Sequence, residues 1–261
     1  MPCQSHSSDG LPQISFKNVG RNNASTFTGL CSKHDNEIFR PIENEGIDFK
    51  NSHHLFLISY RSILREFHAV IQAACRMQVG YKSRVNVGLS PGDRPDAAGL
   101  TAVAWLCNAY DCYLYKKKFD EAFMANNFLR VEHDHIEYTN SPPTIAVSAL
   151  FSLDDIEWPD DVAKVALNVF PFDGSMHILF SYLKEERLYA QQYLKDILNS
   201  SGDYQRYLIS KLILQHCENF TIAPAYWENL SEQRRESIVN FFFATLEKNL
   251  PSYEDNNLFL F

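Results

Sequence analysis

From His53 onward the apolar and polar positions of the chain fall into three successive regimes. In the first, Phe56, Tyr60, Ile63, Phe67, Val70, Ala74 and Met77 recur at spacings of four and three, and Arg61, Arg65, His68, Gln72 and Arg76 lie between them. A period near 3.6 places the first set on one stripe and the second on the opposite side, so the spacing predicts a helix with one buried face. The stretch VGYKSRVNVGLSPGDRPD, punctuated by Gly and Pro, predicts a loop. AAGLTAVAWLCNAYDCYLYKKKFDEAFMANN then predicts a second long helix, apolar nearly all round and therefore expected to be central and covered.

The second regime, residues 128–182, predicts extended chain. FLRVEHDHIEYT alternates, TIAVSALFSL is rich in β-branched residues, and VALNVFPFDGSMHILFSYL reads as two strands joined at Asp173-Gly174, a strong hairpin dipeptide. The third regime returns to helix. KEERLYAQQYLKDIL and YQRYLISKLILQHC are amphipathic, and LSEQRRESIVNFFFATLEK places Ser231 at an N-cap. Helices, then a block of strands, then helices give an α+β fold class and not alternating β-α units.

Residues 1–50 differ from all of this. They are polar, rich in Gly, Asn and Ser, and lack apolar periodicity, so they need a staple or a larger body to lie against. The expected organisation is an N-terminal element over 1–50 on an α+β body over 51–261, with helices in 53–127, strands in 128–183 and helices in 184–250.

The same fifty residues hold two pairs of metal-ligand type at equal spacing, Cys3-x-x-His6 and Cys31-x-x-His34. Tetrahedral Zn²⁺ takes four nitrogen or sulfur ligands, and a two-residue gap lets both members of a pair reach one ion from a tight turn. Structural zinc binding contributes on the order of 10 kcal/mol of folding free energy in small modules, which would offset the missing core. Cys3, His6, Cys31 and His34 are the expected zinc ligands, with a metal-stapled element as the consequence. Asp35 is read either as a group orienting His34 or as an N-cap for the helix that NEIFRPI begins. The remaining cysteines, Cys75, Cys107, Cys112 and Cys217, lie in apolar helical contexts where thiols pack as small hydrophobes, and a reducing cytoplasm fits this usage.

The block ASTFTGLCSKHDNEIFRPIE (24–43) resembles one found in a family of uncharacterised bacterial proteins. In that family a Ser-His-Ser element precedes Gly-Phe-Cys-x-x-His-Asp. QSHS (4–7) is similar to the upstream element and ENFTIAPAYWENLS (218–231) to the C-terminal region, while Leu30 stands at the motif's Phe. More loosely, the arrangement resembles the treble-clef scaffold of HNH-type nucleases. That likeness implies a second reading, metal-dependent cleavage of nucleic acid, with His6, Asp35 and Asn36 as candidate catalytic groups.

Charge narrows the choice of partner. Residues 1–50, 51–130 and 131–261 carry net charges of −1, +4 and −11, so a chain coating nucleic acid over its whole surface is excluded. A protein partner or nucleic acid meeting the basic segment 61–118 stays open. No apolar run is long enough to span a membrane, and no secretion signal heads the chain.

Three further constellations carry residue types of catalytic sites. His133, His135 and Glu137 share one face of a strand, as in a two-histidine, one-carboxylate metal site, but the expected reading is the solvent-facing side of an edge strand. Arg61 and His68 are spaced as in HEPN-type ribonucleases, and also as ordinary members of a polar helix stripe. Ser181-x-x-Lys184 has nucleophile spacing without companion motifs, and nucleotide-binding and α/β-hydrolase signatures are missing. The expected function is a zinc-stabilised, non-catalytic binding or assembly protein, with the nuclease as alternative.

Overall fold

The computed structural model describes residues 2–6, 12–20, 29–44, 46–153, 163–246, 255 and 257–261. Contacts group the chain into two units, residues 1–26 with 131–261 and residues 27–130, so the N-terminal fifty residues are shared between units and do not form an element of their own.

The unit of residues 27–130 is helical: α1 (Ser32–Asn44), α2 (Ser52–Asn86) and α3 (Ala97–Met124), followed by a 3-10 turn at Phe128–Arg130. Asn51 caps α2 by accepting from the His53 amide at 3.0 Å. At the base of the α2–α3 hairpin, Phe56 lies 5.6 Å from both Tyr60 and Phe119 and 5.2 Å from Phe128, ring centre to ring centre. The Tyr60 hydroxyl donates to Asp120 at 2.7 Å, and Lys116 pairs with the same carboxylate at 2.6 Å. The helix α2 runs through Val79 and Gly80 to Asn86, further than expected, which shortens the loop to 87–96. Tyr81 holds this end by donating to the carbonyls of Pro91 and Arg94, and Asp96 caps α3 by accepting from the Gly99 amide.

The other unit is built on a five-stranded antiparallel sheet. Its strands are β3 (Val131–Tyr138), β4 (Ile145–Ser152), β5 (Lys164–Phe172), β6 (Ser175–Leu183) and β7 (Phe220–Ile222), in the order β3-β6-β5-β4-β7. A small two-stranded hairpin, β1 (Pro2–His6) and β2 (Pro12–Phe16), belongs to the same unit. Asp173 and Gly174 have φ of 46° and 76°, the left-handed pair of a two-residue hairpin turn, as the dipeptide predicts. One face of the sheet is apolar. Val147, Phe151, Val165, Leu167, Val169, Ile178 and Phe180 join a core with helices α4 (Arg187–Tyr193), α5 (Lys195–Leu198), α6 (Gly202–His216), α7 (Pro224–Asn229) and α8 (Glu232–Leu246). Ser231 caps α8 as expected, its hydroxyl accepting from the Arg234 amide at 3.3 Å. The short strand β7 interrupts the C-terminal region read as helix, because pairing with β4 fixes Phe220–Ile222 as extended chain.

The α+β class therefore holds, with a small antiparallel sheet among helices. No helix among the described residues is long and apolar enough to cross a membrane. Of the four cysteines expected to be packed, Cys112 and Cys217 are buried, whereas Cys75 and Cys107 are exposed.

Candidate metal centre

The Cys31–His34 pair sits at the start of α1. The Asp35 amide donates to the Cys31 carbonyl at 3.0 Å, the first helical bond, which makes Cys31 the N-cap and His34 the third helical residue. These are the N-cap and N3 positions, one helical turn apart, whose side chains lie close together at a helix start. The Cys31 Sγ accordingly lies 3.3 Å from the His34 Nδ1. Two donors on one tetrahedral zinc, at its usual bond lengths, stand roughly 3.5 Å apart, so the pair has the separation of a two-ligand chelate. Both residues are exposed, and an ion can reach them from solvent.

Because α1 begins at Ser32, Asp35 lies in its first turn and is not its cap, contrary to that reading of NEIFRPI. A carboxylate there still favours the helix N-terminus through the backbone dipole. Asn36 follows on the exposed surface.

Cys3 and His6 lie on β1, in register with Ser15 and Pro12 on β2. Their backbone is extended over about 10 Å, not folded into the tight turn expected of a knuckle. The side chains of Cys3 and His6 lie outside the described residues, as does the segment from 21 to 28 that leads to Cys31. Among the described residues no group of three or more His, Cys, Asp or Glu side chains converges on one point.

The N-terminal region also has apolar anchors that its sequence pattern did not reveal. Phe16 at the end of β2 stacks on Trp227 at 5.0 Å and lies 5.7 Å from Phe220 and 6.1 Å from Phe242, against the core of its unit. In the helical unit Phe39 of α1 is fully buried and carries the Arg61 guanidinium over its ring at 5.0 Å. Arg61 also pairs with Glu43 at 2.7 Å. That engagement explains Arg61 as the residue docking α1 on α2. His68 instead bonds Gln72 at 2.9 Å on the same helix.

The strand histidines do share a face of β3, at the sheet edge. The solvent-facing reading fails for His133, however. Its Nδ1 lies 2.8 Å from the Ser181 hydroxyl, its Nε2 is buried with no hydrogen-bond partner among the described residues, and burial lowers its pKa to about 4. Next to it, His135 Nε2 lies 3.0 Å from His177 Nδ1, and His177 Nε2 lies 3.2 Å from the Phe172 carbonyl. A carbonyl only accepts, so His177 carries its proton on Nε2, and His135 must donate to His177 Nδ1. Burial, then the neighbouring His177, lowers the His135 pKa, with Glu137 opposing. On this face His135 is thus bonded to His177 and His133 to Ser181, across the β3–β6 register. The register with β6 that brings His177 and Ser181 to it was not legible in the sequence. Ser181 is fully buried on that face and has no place as a nucleophile with Lys184.

No family model, curated protein or solved structure matches this chain.

Proposed function

We propose that the protein is a zinc-stabilised, non-catalytic binding or assembly protein, with Cys31, His34, Cys3 and His6 as the candidate ligands. The observation that carries this reading is the 3.3 Å approach of the Cys31 thiol and the His34 imidazole at the mouth of a helix. Deprotonated thiolate and neutral imidazole are the forms that bind, so affinity falls as pH drops. His34 committed to an ion has no lone pair left to activate water, which favours a structural over a nucleolytic role for the cluster. The basic segment 61–118 is the surface offered to a protein or nucleic-acid partner.

Elemental analysis of the purified full chain tests the proposal. The expected result is one zinc per chain, lost in Cys31→Ser with a lowered Tm, while Asp35→Asn keeps the metal. A metal-free protein whose Tm is unmoved by Cys31→Ser and Cys3→Ser together rejects it. Cleavage of DNA or RNA with added Mg²⁺ or Mn²⁺, abolished by Asp35→Asn, would establish the nuclease instead.

A further inference from the structure

The distal half of the α2–α3 hairpin is packed inside out. Toward α2, the helix α3 buries Gly99, Ala102, Ala109 and Cys112, and beyond Ile63 and Leu64 the one fully buried residue of α2 is Ala74. Large apolar residues in the first half of α3 are exposed: Leu100 is 60% exposed, Val103 53%, Leu106 51% and Tyr110 62%, followed by Leu114 and by Tyr113, whose ring also lies 6.0 Å from that of Phe67 on α2. Residues 97–110 contain no charged side chain. A helix apolar all round is ordinarily covered all round, and here one side lacks its cover.

The uncovered side has an internal order. Leu100, Val103, Cys107, Tyr110 and Leu114 follow spacings of three, four, three and four, the seam positions of a heptad repeat. Leu106 and Tyr113 flank it, and Ala102, Ala109 and Cys112 fall on the opposite side, toward α2. Ordinary side-chain areas weighted by these exposures give about 500 Å² from this one helix, the larger part of the roughly 800 Å² per partner of a standard interface. The seam is also symmetric about its centre, since Cys107 lies seven residues from each end.

We infer that the occupant is the α3 seam of a second copy of this chain, packed antiparallel to form a four-helix core from two hairpins. Charge selects the direction. A parallel pair would set Lys117 and Lys118 beside their own copies, Lys116 being turned toward Phe67 of α2 and paired with Asp120. The antiparallel pair carries these two lysines to the partner's α3 N-terminus, where Asp93 and Asp96 outnumber Arg94. This names the partner within the assembly reading above, yet it stands on α3 alone and not on the metal pair.

Sedimentation equilibrium of the full chain at tens of micromolar is the test. The expected mass is twice 30.1 kDa. Val103→Glu with Tyr110→Glu should weaken association at least about 100-fold, because each carboxylate would be buried without a partner, and leave the far-UV circular dichroism unchanged. Cys31→Ser should stay dimeric, which separates this inference from the zinc proposal. Copper–phenanthroline oxidation should link the chains through Cys107, with the link lost in Cys107→Ser and kept in Cys75→Ser. In a Cys107→Ser background, mixed Val103→Cys and Tyr110→Cys chains should cross-link to each other. A wild-type monomer, or a dimer that survives the double glutamate variant, overturns the inference. Cross-linking of Val103→Cys only to itself overturns the antiparallel arrangement.

Discussion

The half-buried His133, with its Nε2 shut off from solvent, makes the stability of the protein depend on pH in a window set by its own environment. Its Nδ1 bonds Ser181, and its buried Nε2 has no hydrogen-bond partner among the described residues, so a proton added there would create a charged donor without an acceptor among them. Burial therefore depresses the folded-state value from 6.5 to about 4. The unfolded chain takes up the proton first as pH falls, so stability is full above about 6.5 and is lost on the way down to about 4. That difference corresponds to about 3 kcal/mol, with a slope near 1.4 kcal/mol per pH unit in mid-window. Urea unfolding followed by circular dichroism from pH 7.5 to 4 measures the slope. His133→Leu should be less stable at pH 7, because Ser181 loses its partner, but its stability should fall less steeply with acid. His135 and His53, both lowered by burial, account for a residual slope of the same sign. A variant whose slope equals that of the wild type would refute the neutral imidazole.

Two further substitutions test packing. A Cβ at Gly99 would stand 2.9 Å from both Pro95 Cβ and the Tyr81 ring, so Gly99→Ala should destabilise by about 1–3 kcal/mol in urea despite the better helix propensity of Ala; a neutral or stabilising result would show that the loop yields. Phe16→Ala removes the ring stacked on Trp227 and should cost about 2–4 kcal/mol, with limited proteolysis then cutting within residues 1–26. If proteolysis were unchanged while zinc removal exposed the same segment, aromatic docking would not be what holds the hairpin.

Local chemistry made several features of this chain legible. Asp173-Gly174 can hardly serve as anything but a tight turn, because the two left-handed backbone conformations it adopts are costly for most other residues. The stripe from Phe56 to Ala74 announced α2, and Ser231 announced the start of α8, since periodicity and capping act over a few residues. Cys31 and His34 were legible as a pair for the same reason, being one helical turn apart. What joins distant residues was not legible. Phe16 gave no periodic signal, being one aromatic in a polar stretch, and only the fold brings Trp227, Phe220 and Phe242 around it.

The β3 histidines show the division most clearly. Their alternation determined that His133 and His135 share a face, because strand geometry is a property of neighbouring residues. Whether that face meets water or lies buried, and that His177 and Ser181 complete it, was decided by the register of β6 against β3. In α3 the sequence by itself determined a helix without a polar side, and the tertiary structure decided which apolar side α2 takes and which is left open. Burial and pairing are sums over residues far apart in the chain, and no local pattern contains them.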